Sequence, residues 1–182
     1  MKRRFMLLFL VAFALAITGP AASNATLANN SSDTYQLVMD VPNVSQDAHG
    51  DTLGVTGQGT WSVHPKSTDA SGAFTFTSAD GTTSFSGTWR ANALIAFQPY
   101  GCGVVHTPSG DVILPPNFCG GRVVFDITAT TPFGPERGQL TIYCIIGDRP
   151  PSVEEGIAAV IPSVGDVNRQ ISGMNHYVKL TP

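Results

Sequence analysis

Charge is scarce in this chain. Only 13% of its 182 residues are Asp, Glu, Lys or Arg, which excludes the highly charged, disordered class of sequence. Long apolar runs are lacking too. Phe5 to Ile17 is uncharged and apolar for 13 residues, short of the roughly 20 that a helix needs to span a bilayer. Cysteine occurs three times, an odd number that leaves one thiol unpaired within the chain. Also absent are a phosphate loop, a dinucleotide fingerprint, His-Glu-x-x-His, Gly-x-Ser-x-Gly and Cys-x-x-Cys. No motif therefore asks for a cofactor, and none assembles a nucleophile, a base and an oxyanion site.

What is present begins with a leader. Lys2, Arg3 and Arg4 precede the apolar run, Gly19-Pro20 breaks it, and Ser23-Asn24-Ala25 supplies small residues before a cut. This layout predicts a secretory signal peptide over residues 1–25 and a secreted, extracytoplasmic protein. Cutting there leaves seven basic against 13 acidic residues, a net charge of −6. That balance excludes nucleic acid or anionic lipid as a partner held by bulk electrostatics. Residues 26–33 are small and polar and read as a flexible tail; 34–182 read as a single all-β domain. Asn29-Asn30-Ser31, Asn30-Ser31-Ser32 and Asn43-Val44-Ser45 match the N-glycosylation pattern.

Alternation dominates the remainder. Leu53, Val55, Gly57, Gly59, Trp61 and Val63 share one parity, and Thr56, Gln58, Thr60 and Ser62 share the other. Phe85, Gly87, Trp89, Ala91, Ala93, Ile95 and Phe97 repeat the pattern. A period of two is a strand with one dry and one wet face. Phe74 and Phe76 lie on a strand just before the second of these, and Asp80-Gly81 predicts a two-residue hairpin turn. That turn sets paired numbers to sum to 161, so Phe76 faces Phe85, Phe74 faces Gly87 and Gly72 faces Trp89. Further strands are expected around Tyr35–Val41, Val123–Ile127, Leu140–Ile146, Gly156–Ile161 and Met174–Leu180. The fold class is all-β, with about eight antiparallel strands. A β-barrel is preferred over a two-sheet sandwich, because long strands with inward glycines suit strong curvature.

Gly59-Thr60-Trp61 recurs as Gly87-Thr88-Trp89. Gly-Thr-Trp on a barrel strand resembles the opening strand of avidins and, more loosely, the Gly-x-Trp of lipocalins. The resemblance covers three residues. Ser62-Val63-His64-Pro65 then departs from the avidin pattern, so no binding residue is carried over. Both triplets read as glycine making room for a nearby indole.

Cys102 and Cys119 flank a Gly/Pro-rich loop and are expected to form the disulfide, with Cys102–Cys144 as the rival pairing. Cys144 continues the inward series Leu140, Ile142 and is expected to be a free, buried thiol. Asp47, His49 and Asp51 would share one face of an extended segment and could ligate a divalent metal; a polar loop is the plainer reading. His106 and Asp111 lie in the Cys102–Cys119 loop, where a clamped site is one reading and a solvated histidine the other. The adjacent Glu154 and Glu155 read as solvent-exposed charge.

Trp61, Trp89, Phe74, Phe76, Phe85 and Phe97 are the largest feature. In an open barrel they line a cavity for an apolar small molecule; in a closed one they are core. The first reading makes the chain a non-enzymatic ligand-binding barrel. The second makes it a structural or surface interaction module with a filled core, and an enzyme ranks third.

Overall fold

Alternating sequence becomes strand throughout the residues that the computed structural model describes, 33–180. The expected leader, all of the expected tail except Asp33, and the Asn29 and Asn30 triplets lie outside them. The elements are β1 (Thr34–Gln46), β2 (Thr52–Ser62), β3 (Ser67–Thr77), β4 (Ser84–Cys102), β5 (Val104–Thr107), β6 (Gly110–Ile113), β7 (Phe118–Thr131), β8 (Gly134–Cys144), β9 (Gly156–Ile161), β10 (Gly165–Val167) and β11 (Arg169–Lys179). The described residues contain no helix, and so none long and apolar enough to cross a membrane. The eight expected strands correspond to β1–β4, β7–β9 and β11. The other three strands, β5, β6 and β10, have three or four residues each, too few to display a period.

The chain is all-β and antiparallel. Nine strands form one sheet in the order β10-β9-β8-β7-β11-β1-β2-β3-β4, and β4 returns to pair with β7. Six strands (β7, β11, β1, β2, β3 and β4) thus close into a ring, while β8, β9 and β10 extend from β7. The β5–β6 hairpin stands apart as a two-stranded sheet. One continuous core fills the space between these layers, from Leu37, Leu53 and Trp61 to Phe125, Leu140 and Ile157.

The β3–β4 hairpin has the expected register: Phe76 faces Phe85, Phe74 faces Gly87 and Gly72 faces Trp89. Its turn is longer than the expected two residues. The Ser78 N–H donates to Thr83 O at 2.9 Å and the Gly81 N–H to Ser78 O at 2.8 Å, leaving a loop of 79–82. Both loops are centred on the Asp80–Gly81 bond, so the pairing sum is unchanged.

Strands β1, β4 and β11 depart from simple alternation; in β1 the registers with β2 and β11 shift between Val38 and Val44, and Val41 is 43% exposed. In β4 the register with β7 shifts between Ala91 and Ala93, and again between Leu94 and Ala96. The first bulge turns Leu94 inward, 5% exposed, and Ile95 outward, 40% exposed; the second restores Phe97 to the interior side. Ala93 and Ile95, expected inside, are therefore outside. An extra residue reverses the side-chain parity beyond it. In β11 the apolar parity Met174, Val178, Leu180 faces outward or only partly inward, and Asn175 and Tyr177 are buried.

The ring closes through a fork in β7. One edge of β7 pairs with β4 from Thr130 to Cys119. The other pairs with β8 from Thr131 to Gly121 and then with β11 at Cys119 and Phe118. At the fork the chain leaving β8 crosses Gly120, where a Cβ would lie 2.1 Å from Ile146 O. Only glycine admits that approach.

Cys102 and Cys119 form the disulfide and face each other in the β4–β7 ladder. Cys119 also pairs with Tyr177 of β11, so the link sits where the ring closes and does not merely tie off a loop. It spans 17 residues, and chain entropy alone values such a link at about 3 kcal/mol. Serine at both positions should lower the stability measured by urea unfolding by about that amount. An unchanged midpoint would show that the unlinked chain is equally constrained.

Candidate functional site

The six aromatic residues expected as core or cavity lining are packed together. Trp61 is 1% exposed and Trp89 2%. Trp61 stacks on Tyr35 at 5.3 Å and meets the edges of Tyr177, Phe97 and Phe125 at 4.8–6.0 Å. Rings surround it, and its indole N–H is buried without a hydrogen-bond partner among the described residues. Towards the other end of the β2–β3 pair, Phe85 packs on Phe76 at 5.0 Å and Phe74 at 6.4 Å. Between Leu53, Val55, Phe74, Trp89, Ile127 and Leu140 lies a void of about 10 Å³, room for about one water.

The glycines do make room for an indole, but from neighbouring strands. Trp89 lies over Gly57 and Gly72, where added Cβ atoms would come within 2.4 and 2.7 Å of the ring. Gly87, in the same triplet as Trp89, lies beneath Phe74, and Gly59 lies against Ala70. The two Gly-Thr-Trp triplets therefore solve different packing problems.

Asp47, His49 and Asp51 do not form a shared face. The segment is a turn, in which Asp47 Oδ1 accepts the N–H groups of His49 and Asp51 at 2.8 and 2.9 Å. Asp51 Oδ1 accepts the Ala79 N–H at 2.8 Å. Backbone donors occupy these carboxylates, as is usual for aspartate in turns. Among the described residues no three His, Cys, Asp or Glu side chains form a group able to hold a metal.

His106 is exposed on the β5–β6 hairpin between two carboxylates, Asp111 at 2.8 Å and Asp148 at 3.2 Å. The Asp111 hydrogen bond and charge, helped by Asp148, raise its pKa. Both ring nitrogens are taken by carboxylates, so the histidine tethers the hairpin to the segment after β8.

Glu154 and Glu155 part company. Glu154 is exposed, whereas Glu155 turns in beneath the fork. Its two oxygens accept the N–H groups of Ile145 at 2.9 Å and Asn175 at 2.7 Å. The fork leaves edges of β9 and β11 without ladder partners, and side chains bridge the gap. Asn175 Nδ2 donates to Asn43 Oδ1, Tyr143 O and Gly156 O at 2.8–3.3 Å, and Asn43 Nδ2 returns a bond to Asn175 Oδ1. Ser45 Oγ donates to Ile157 O, and Tyr177 Oη to Ile142 O. Asn43 is fully buried in this seam, so its glycosylation triplet is inaccessible in the folded chain. Cys144 is the free, buried thiol, donating to Asn175 O at 3.0 Å. Burial first, then the Glu155 charge, pushes its pKa well up.

Burial pushes the Glu155 carboxyl up to about 7 against the pull of its two amide donors and Arg149; Asp40 adds to the rise. The folded chain then binds this proton more tightly than the unfolded chain. Its stabilising effect is complete below about pH 4.5 and is lost as pH rises through about 7, a change of at most about 3 kcal/mol. Melting temperatures should fall across that window, and Glu155→Gln should flatten the slope. Equal slopes for both proteins would contradict the assignment.

On the outer face, above the seam, the register brings three side chains into one row. Gln98 of β4 faces Arg122 of β7, which faces Tyr143 of β8. The next position, Gly156 of β9, has no side chain, and Gln170 lies over it with Nε2 donating to Ile157 O. Tyr100, bulged from β4, and the turn 150–154 complete a cleft of about 400 Å³. Arg149 donates to Val153 O, and the Val153 N–H to Pro150 O at 3.0 Å, so this turn is braced. Arg122 has no ion pair or side-chain hydrogen bond among the described residues. Local patterning does not reveal the row, because its members become neighbours only through two inter-strand registers.

The fold and site define an all-β module with a forked six-strand ring and a polar outer cleft. The chain matches no protein-family model, no curated protein and no solved structure.

Proposed function

We propose that the chain is an exported, non-enzymatic recognition module that works through its outer surface. One observation carries this reading: the interior is occupied by its own side chains, with both tryptophans buried and a void of about 10 Å³ among the core residues. Ligand pockets of small-molecule carriers run to about 300–1,000 Å³, and the packing therefore supports the filled-core reading over a barrel that holds an apolar ligand. The disulfide suits an oxidising compartment, in keeping with the leader expected at residues 1–25.

Titration with N-phenyl-1-naphthylamine tests it. The native protein should give no saturable rise in dye fluorescence and no quenching of tryptophan emission. Saturable binding with tryptophan quenching would return the interior to the role of an apolar-ligand site.

A further inference from the structure

The cleft above the fork has the chemistry of a binding site. Its row of Gln98, Arg122 and Tyr143 stands on three hydrogen-bonded strands, which hold side chains more firmly than loops do. Its volume of about 400 Å³ lies within the usual range for small-ligand sites. The lining offers every kind of polar partner. Arg122 only donates, Glu154 only accepts, and the amides of Gln98, Asn168 and Gln170 do both. Tyr143, half-buried, adds aromatic surface with a hydroxyl group, and Tyr100 also lines the cleft but is buried.

Charge decides between ligand classes. An anion site concentrates positive charge, but here one arginine shares the cleft with one glutamate, and the chain as a whole is acidic. A neutral ligand with many hydroxyls meets no net repulsion, and each hydroxyl can donate to one side chain and accept from another. The partly exposed Tyr143 ring can cover a C–H surface of a sugar ring. We propose that this cleft binds a neutral oligosaccharide, with Arg122 and Tyr143 as its principal contacts. The proposal rests on the outer-surface reading above and names the ligand class.

Calorimetric titration of the intact protein with cellohexaose, mannohexaose, chitohexaose and hexagalacturonate tests the proposal. At least one neutral hexasaccharide should bind saturably. Arg122→Gln and Tyr143→Ala should each weaken it at least about tenfold, while Thr75→Ala, on the exposed outer face of β3, should not. Melting curves confirm that each variant is folded, and Arg122→Gln serves if Tyr143→Ala is not. Silence with all three neutral sugars overturns the proposal, as does binding of hexagalacturonate alone, or neutral binding that ignores Arg122→Gln. If the dye is still excluded in such a case, the outer-surface reading stands and only the saccharide assignment fails.

Discussion

Replacing Trp89 by alanine should destabilise the protein by about 3–5 kcal/mol, the range for deleting a large buried aromatic. The indole is 2% exposed and lies across the Gly57–Gly72 pair of β2 and β3. The ring lies directly on those glycines, so its removal opens a cavity over backbone. The variant also loses the hydrogen bond from Nε1 to Thr56 O at 2.9 Å. Urea unfolding, followed by the emission of the remaining Trp61, measures the loss. A value below about 1 kcal/mol would place the indole in solvent and break the β3–β4 register. Gly57→Ala should also destabilise, because its Cβ would lie 2.4 Å from the ring. Combining the two changes relieves only part of that clash, since the same Cβ would remain 2.9 Å from Ser71 O.

Asn175→Ala should destabilise the fold by about 3 kcal/mol or more. The side chain donates to Asn43, Tyr143 O and Gly156 O and accepts from Asn43. Alanine removes all of these bonds; Asn43 Nδ2 keeps Val41 O, and each buried partner left unsatisfied costs roughly 1–3 kcal/mol, less whatever an entering water restores. Asn43→Ala strands the other half of the same pair. The double variant should therefore lose less than the sum of the single losses, because neither amide is then left facing a missing partner. Additive losses would mean that the two amides do not act together. Asn175→Asp separates packing from donation: it keeps the shape but offers oxygen to two carbonyls, and should be as harmful as alanine.

The seam explains why polar residues at inward positions escaped reading. In β1, Tyr35 and Leu37 are buried as expected, register shifts then leave Val41 43% exposed, and the inward positions beyond them are Asn43 and Ser45, both fully buried. By pattern alone a buried Asn looks like a solvated one. The difference lies in the gap between β9 and β11, whose open edges are met by side chains instead of a ladder. The apolar series ending at Leu180 misleads in the opposite direction. Met174 is 56% exposed, while Asn175 and Tyr177 turn inward and donate to carbonyls of β8 and β9. Glu155 follows the same logic. Among hydrophilic neighbours it reads as surface charge, yet two amides without ladder partners draw it under the sheet.

Sequence alone determined the all-β class, the positions of the eight longer strands, the β3–β4 register, the disulfide and the burial of Cys144. These rest on local rules: a period of two, a turn centred on one peptide bond, glycine opposite a large ring. Tertiary structure decided the fork in β7, the bulges that exchange Leu94 for Ile95, the inward face of β11, and the row that lines the outer cleft. Each of these depends on which strand lies beside which. Backbone hydrogen bonds left open by one strand must be met by another distant in sequence, and no local pattern records that demand.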